Sequence, residues 1–298
     1  MEGRTVAKQL GPVGIWSNTL ERLPNAKAGD LARLVESLGF GAIWFPEAVG
    51  SKEVFAQSAL LLAASSRIVV APGIANIFAR DAFAMANGAR TLAEAFPGRF
   101  ILGLGVSHAP AVGARGGRYR RPVETMAAYL EAMAAAPITL AGAVTPPLLL
   151  AALGPRMLGL AATRAAGAHP YFVPIEHTPI ARAALGPEPC LAVEIACVLE
   201  TDPVVARKVA RTYTKRYLAL ANYRNSLLRL GWLEAELANE GSDRLVDALV
   251  VWGEPARIAE HVAAHHAAGA DHVCVQVLSA AWPAPPVDEL RLLAHALR

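Results

Sequence analysis

The sequence of 298 residues predicts an α/β fold, namely a (β/α)8 TIM barrel with an insertion before the last βα unit. About eight strand-like segments alternate with helix-like segments, which is the pattern of this barrel. The strand-like segments are uninterrupted apolar runs, typical of parallel strands that helices cover. No Pro/Ser-rich linker divides the chain, so we expect one domain over residues 1–298 with the insertion at about residues 201–247. A doubly wound open sheet is the alternative architecture.

The first half of the chain shows the alternation most regularly. In its first helix, apolar residues recur at helical spacing, and Gly39 follows as a helix stop. The predicted strands are Val13–Trp16, Ala42–Phe45, Arg67–Ala71 and Phe100–Val106, and the predicted helices are Leu31–Leu38, Phe55–Ala64 and Ala82–Ala95.

The second half repeats the pattern more loosely. Its predicted strands are Leu148–Leu153, Tyr171–Val173, Val193–Leu199 and His272–Val277. Its predicted helices are Pro122–Ala135, a helix from Gly154 to Ala166, long helical stretches within Pro203–Leu230, and Pro255–Ala268. Glu176 and His177 are expected in a loop or at a helix cap.

Composition argues against several classes of protein. Apolar residues make up 54% of the chain, but no segment has the roughly 18 to 20 uninterrupted apolar residues of a membrane span. The first ten residues contain no apolar signal core, and the three cysteines show neither metal spacing nor a disulfide framework. We therefore expect a cytoplasmic protein. A net charge of +3, with one dense arginine cluster at residues 115–121, does not predict nucleic-acid binding.

Candidate functional residues lie where the predicted strands end. In α/β sheets, ligands bind at the carboxyl ends of the strands. Glu47 follows the second strand, where a carboxylate can relay a proton or form an ion pair. Gly73 and Asn76 follow the third strand and are expected to lie against a flat ring. The fourth strand runs into His108, a titratable ring at the expected position of chemistry.

The segment Gly154-Pro155-Arg156 follows a strand and starts a helix. Proline is favoured in the first helical turn, and the free amides and the dipole at that end favour an anion. The segment is therefore a candidate phosphate site to which Arg156 adds charge. An ordinary helix start is the alternative.

Other motifs are set aside. The run Gly103–His108 begins like a dinucleotide fingerprint, but His108 stands at the third glycine and no ribose-binding acid follows. No Gly-x-Ser-x-Gly elbow or Walker phosphate loop is present. His261, His265 and His266 are expected on a solvated helix face, and no metal site is predicted.

Five segments of the sequence, in their order along the chain, resemble the bacterial luciferase-like superfamily, and the resemblance covers nearly the whole chain. Ser107–Pro110 and Gly167–Phe172 resemble the branch of oxidoreductases that use the deazaflavin coenzyme F420. The supporting segments are Glu36–Glu47, Pro72–Asn76, Pro97–His108, Ala151–Arg156 and Ala268–Val273.

The resemblance implies a flavin-type ring at the carboxyl ends of the strands. A bulge at Gly73-Ile74, often with a non-prolyl cis peptide in relatives, would support the centre of the ring. Many relatives carry histidine after the acid that corresponds to Glu47, but here that position is Ala48. The exchange of the proton that accompanies hydride transfer is therefore assigned to His108 or Glu47. The full set of expected cofactor-binding residues is Glu47, Gly73, Ile74, Asn76, Val106, Ser107, Gly154, Pro155 and Arg156.

The resemblance predicts an F420-dependent oxidoreductase that transfers hydride to or from a small organic substrate. An FMN-dependent monooxygenase is the alternative within the superfamily. A phosphate-binding isomerase or aldolase and a non-catalytic flavin-binding protein are alternatives of other classes. The protein is expected to be a homodimer, as relatives usually are. The insertion is expected to form a lid over the substrate, and a plain packing segment is the alternative. The residues of the expected lid are Tyr213, Tyr217, Asn222, Tyr223 and Arg224.

Overall fold

Ten strands, all paired in parallel, form the sheet in the computed structural model, which describes residues 2–297. Their order in the sheet is β3-β2-β1-β10-β8-β7-β6-β5-β4, and β9 pairs with β8. The strands are β1 (Val13–Trp16), β2 (Ala42–Phe45), β3 (Val69–Pro72), β4 (Ala75–Asn76), β5 (Leu102–Gly105), β6 (Leu148–Leu150), β7 (Gly167–Ala168), β8 (Cys190–Val198), β9 (Val250–Trp252) and β10 (His272–Val277).

The sheet closes into a barrel of eight positions. β4 continues β3 after an interruption of two residues, and the two strands occupy one position. Val70 of β3 forms a parallel bridge with Phe100, just before β5, and this bridge joins the two edges of the sheet. Ala196 of β8 pairs with both β9 and β10, so β9 is an additional strand on the edge of β8 opposite β10. The predicted TIM barrel is confirmed.

Fourteen helices lie among residues 2–297. Four of them, α9 to α12 below, lie between β8 and β9, where the insertion is expected. The helices are α1 (Glu2–Leu10), α2 (Asn25–Ser37), α3 (Val54–Ala64), α4 (Ala82–Ala95), α5 (Ala109–Ala114), α6 (Pro122–Ala134), α7 (Pro155–Arg164), α8 (His177–Leu185), α9 (Pro203–Leu218), α10 (Ala221–Arg229), α11 (Glu234–Leu237), α12 (Asp243–Leu249), α13 (Pro255–Ala267) and α14 (Val287–Ala296).

Successive residues of a strand belong to two separate cores. In β2, Ile43 packs in the cluster that contains the apolar faces of α2 and α3, whereas Trp44 packs in a second cluster with Val69 of β3. This follows from the two-residue period of a strand, which points alternate side chains to opposite faces. Because both faces are buried, the strands have the uninterrupted apolar sequences from which they were predicted.

The prediction of a strand at Tyr171–Val173 is wrong. The sixth barrel strand is β7, which begins four residues earlier and has only two residues. Tyr171 and Phe172 instead pack against tyrosines of α9, and Phe172 adopts a left-handed conformation with φ 58° that a strand does not allow.

The expectation of a solvated histidine face on α13 is also wrong. His265 is fully buried, and its Nδ1 lies 2.8 Å from the hydroxyl of Thr178 in α8. His177 begins α8 and is buried as well. Helices α1 and α8 and strand β9 were not predicted. None of the helices within residues 2–297 is long and apolar enough to cross a membrane.

Candidate active site

A cavity of about 750 Å³ lies at the carboxyl ends of the barrel strands. Trp16 ends β1, and the loops after β2, β3, β5, β6 and β7 contribute the other walls on the barrel side. Residues of α9 and α10 line the opposite side. A large cavity with a few convergent polar groups is the usual form of a ligand site, and its location agrees with the rule for parallel barrels.

The loop between β3 and β4 forms a bulge into the cavity. The peptide bond between Gly73 and Ile74 is cis, at the position that the resemblance implies. Both residues line the cavity. A Cβ on Gly105 of β5 would lie 2.5 Å from Cγ1 of Ile74, so glycine at position 105 gives space to the bulge. The bulge therefore depends on a glycine in the neighbouring strand β5.

Glu47 holds the other side of the bulge. Its Oε2 accepts a hydrogen bond of 2.8 Å from the backbone N–H of Asn76, and its carboxylate forms an ion pair with Arg80. The Glu47 and Arg80 side chains are 4% and 12% exposed. A carboxylate with both oxygens engaged by a cation and an amide is poorly placed to exchange a proton. These contacts favour the ion-pair interpretation of Glu47.

His108 lines the cavity at the end of the loop after β5. Its Nδ1 lies 3.0 Å from Oδ1 of Asn222 in α10, and its ring packs 5.3 Å from that of Tyr223. Because the amide oxygen is an acceptor, Nδ1 carries the hydrogen and Nε2 keeps its lone pair. Burial lowers the pKa of His108, the Asn222 hydrogen bond opposes this shift, and Arg216 adds to it. His108 is therefore neutral near pH 7.

The neighbouring Ser107 adopts φ 57°, in the left-handed region that side chains other than glycine seldom occupy. Both Val106 and Ser107 line the cavity. The turn at Ser107 carries the chain from β5 to His108 at the start of α5.

The beginning of α7 forms the far end of the cavity. Gly154 caps the helix without a side-chain hydrogen bond, and Pro155 is in its first turn. Arg156 is 72% exposed and forms an ion pair of 2.7 Å with Glu124. A Cβ on Gly154 would lie 3.3 Å from Nη2 of Arg229, which lines the cavity and has no ion-pair partner among residues 2–297. The Arg229 guanidinium therefore lies beside the helix start, without the carboxylate partner that Arg156 has.

The wall formed by α9 and α10 is aromatic. Tyr171, Tyr217 and Tyr223 line the cavity, and the hydroxyls of Tyr171 and Tyr217 lie 2.8 Å apart. Behind them, Glu194 of β8 is 1% exposed and accepts a hydrogen bond of 3.0 Å from the backbone N–H of Phe172. Burial raises the pKa of Glu194 to about 8. An apolar, planar ligand fits between such aromatic side chains.

Most of the residues predicted from the sequence come together in this cavity. Asn76 does not line it: it is 1% exposed, and its Oδ1 accepts a hydrogen bond of 2.9 Å from the backbone N–H of Phe78. Its role as a cofactor ligand stays a prediction. The predicted residues that line the cavity are Glu47, Gly73, Ile74, Val106, Ser107, His108, Gly154, Pro155 and Arg156.

Sequence reasoning missed several residues of the site. Trp16 and His169 line the cavity, and Nε1 of Trp16 and Nε2 of His169 are buried without a hydrogen-bond partner among residues 2–297. His169 lies in a segment that carries the resemblance but received no role. No sequence pattern indicates that Arg229 and Arg80 belong to the site, because an arginine in a helix or loop usually faces solvent.

The sequence matches the family model described as luciferase-like monooxygenase over residues 12–272. A curated relative, 5,10-methylenetetrahydromethanopterin reductase from Methanolobus tindarius, is 28% identical over 155 residues, which are 46% of this chain and 48% of the relative. The match thus spans about half the length of that relative.

Solved structures with the same fold include F420-dependent enzymes and an enzyme that contains FMN. An F420-dependent secondary alcohol dehydrogenase, in complex with an F420-acetone adduct, has a TM-score of 0.75 at 15% identity, over 96% of this chain and 99% of that chain. The F420-dependent tetrahydromethanopterin reductase from Methanopyrus kandleri has a TM-score of 0.71 at 16% identity, over 96% and 99%.

The third of these structures contains FMN. It is the oxygenating constituent of 3,6-diketocamphane monooxygenase from Pseudomonas putida, with a TM-score of 0.71 at 14% identity, over 96% and 97% of the chains. At these identities the likeness shows the fold alone.

Proposed function

Because the chain belongs to the luciferase-like monooxygenase family, we propose that it is an F420-dependent oxidoreductase that transfers hydride to or from a small organic substrate. The observation that carries the proposal is the combination of the Gly73-Ile74 bulge and the α7 start in one cavity. The first suits a planar ring and the second an anion. The curated relative and two of the structural neighbours are reductases or dehydrogenases, which supports hydride transfer.

The residues of the cavity fit a flavin-type cofactor. Glycine at position 73 lets the bulge approach Trp16 closely, since a Cβ there would lie 2.6 Å from Nε1 of Trp16. The orphaned polar atoms of Trp16 and His169 at this point indicate a site built for a ligand. Backbone amides at the start of α7 and the Arg229 guanidinium would hold a phosphate. The side chain of Arg156, already paired with Glu124, contributes less.

The cofactor would supply the redox chemistry, and the protein supplies position and proton exchange. Neutral His108, with its Nδ1–H held by Asn222, presents Nε2 as a base. Ile74 and Val106 are apolar and exclude water from the part of the cavity that they line. Glu47, engaged by Arg80, acts as a positioning residue for the bulge.

An FMN-dependent monooxygenase is the second candidate, since an FMN-containing enzyme shares the fold. Fluorescence titration of the purified protein with F420 and, separately, with FMN tests the proposal. We expect quenching that saturates with F420 at lower concentrations than with FMN. Tight binding of FMN with no binding of F420 would overturn the choice of cofactor.

A further inference from the structure

Two buried side chains at the cavity wall each carry a polar atom that no other described residue satisfies. Trp16 and His169 are 3% and 1% exposed. The indole Nε1 of Trp16 and the imidazole Nε2 of His169 have no hydrogen-bond partner among residues 2–297. Native folds rarely leave buried polar atoms unpaired without a functional reason. Both residues line the cavity.

The hydrogen-bonding role of each atom is fixed. The indole Nε1–H is a donor only. Nδ1 of His169 lies 2.9 Å from the carbonyl oxygen of Ala192, so Nδ1 carries the hydrogen and Nε2 is an acceptor. The ring of His169 is stacked on Trp44 at 4.4 Å with an interplanar angle of 16°, which holds the ring plane. A donor and an acceptor are therefore presented side by side.

Both atoms lie next to Gly73. A Cβ at position 73 would lie 2.6 Å from Nε1 of Trp16 and 3.1 Å from Nε2 of His169, so this position accepts only glycine. Because both nitrogen atoms are this close to one point, they are close enough together for a single polar group of a ligand to contact both.

The same pair of residue types occurs a second time in the barrel, and there it is closed. Nε1–H of Trp44 donates to Nε2 of His272 over 3.1 Å, and Nδ1 of His272 lies 2.7 Å from the carbonyl oxygen of Gly11. Neither Trp44 nor His272 lines the cavity. The open arrangement of Trp16 and His169 is thus found where a ligand can complete it.

We propose that Trp16 and His169 together bind one hydroxyl group of a ligand in this cavity. A hydroxyl oxygen accepts from Trp16 and donates its hydrogen to His169, so one group satisfies both atoms. A carbonyl oxygen satisfies Trp16 alone, and an amide N–H satisfies His169 alone.

The hydroxyl can come from two sources. One is the hydroxyl on the ring of the deazaflavin, which rests on the proposed function, and the other is an alcohol substrate. Burial lowers the pKa of His169 to about 4. His169 is therefore a hydrogen-bond acceptor and not a base, which leaves proton exchange to His108. The proposed role of the pair is binding and discrimination.

Two variants remove one hydrogen-bonding atom each. W16F removes the indole donor, and H169N keeps a donor for the Ala192 carbonyl while it removes the Nε2 acceptor. H272N is the matched control, because it removes the Nε2 acceptor of the closed pair outside the cavity and keeps the Trp44 ring that stacks on His169. Dissociation constants are measured for F420, for FMN, which has a methyl group in place of the ring hydroxyl, and for cyclohexanol and cyclohexanone.

If the cofactor supplies the hydroxyl, W16F and H169N weaken F420 binding by about 3- to 10-fold, the range of one neutral hydrogen bond, and leave FMN binding unchanged. If the substrate supplies it, the same variants weaken cyclohexanol binding, H169N leaves cyclohexanone binding unchanged, and F420 binding does not change. H272N changes neither F420 binding nor cyclohexanol binding. Failure of F420 to bind the wild type would refute the proposed function, and the alcohol arm would still test the pair.

The proposal is overturned if W16F and H169N leave the dissociation constants of both F420 and cyclohexanol within twofold of wild type. A second measurement does not depend on the folding of the variants. In ¹⁵N-histidine-labelled wild type, the Nε2 resonance of His169 is expected to shift when the hydroxyl ligand binds and to stay in place with cyclohexane. No shift with either F420 or cyclohexanol also contradicts the proposal.

Discussion

Nδ1 of His108 and Oδ1 of Asn222 lie 3.0 Å apart and join the loop after β5 to α10. This contact fixes the tautomer of a histidine that lines the cavity, and it places the insertion helices in the active site. Tyr217, Asn222 and Tyr223 of the expected lid line the cavity. Tyr213 lies behind them near Glu194, and Arg224 forms an ion pair with Glu234.

The first prediction concerns His108. We expect H108A to bind F420 nearly as well as wild type but to lower turnover by at least about 100-fold, the contribution of a general acid or base. N222A should lower turnover less, since it frees the ring but keeps the imidazole. The measurement is steady-state turnover beside the dissociation constant of F420. Unchanged turnover in H108A would remove its catalytic role.

The pH profile supplies the control for this assignment. The pKa of His108 is lowered from 6.5 by burial, and the base is active only when neutral. When an alcohol is oxidised and His108 accepts the proton, turnover should therefore be level above pH 6.5 and decrease on acidification below that value. This acidic limb should be absent in the residual activity of H108A. If turnover of wild type and of H108A decreases at the same acidic pH, the titrating group is not His108.

The second prediction separates the two arginines at the phosphate end. R229A should weaken F420 binding by about 5- to 10-fold, because it removes a charge-assisted contact that is partly screened by solvent. R156A is the matched control and should change binding by less than about twofold, since Arg156 is 72% exposed and paired with Glu124. A larger effect of R156A than of R229A would contradict the assignment.

The third prediction tests the support of the bulge by β5. G105A should destabilise the protein by about 1 to 3 kcal/mol and weaken cofactor binding, because the added Cβ meets Ile74 at 2.5 Å. Gly159 lies in α7 and would meet nothing within 4 Å, so G159A should be neutral or stabilising. Thermal unfolding and F420 titration measure both effects. Equal behaviour of the two variants would refute the role of Gly105.

The fourth prediction follows from the buried carboxyl of Glu194, whose pKa burial raises from 4.5 to about 8. Between these values the folded protein keeps a proton that the unfolded chain has lost. The contribution of the Glu194 carboxyl to the free energy of unfolding is therefore present below pH 4.5 and is lost as the pH rises toward 8. The stability of E194Q relative to wild type should rise across this range. A constant difference in urea unfolding from pH 5 to pH 8 would contradict the shift.

The sequence predicted the barrel well because its strands are buried on both faces, as in Ala42–Phe45, whose bounds the structure reproduces. Local pattern failed at β7, where two residues are too few to form an apolar run. The need for glycine at position 105, which makes room for Ile74, arises from a contact between two strands that local pattern does not encode. Contacts such as His108 with Asn222 join residues 114 positions apart, and no local pattern encodes them.

A crystal structure of the protein with F420 tests the central claim most directly. The account predicts the deazaflavin ring against Gly73 and Ile74, with the cofactor phosphate at the start of α7 within hydrogen-bond distance of Arg229. Density for F420 outside this cavity, or a cavity that takes up FMN and excludes F420, would contradict it.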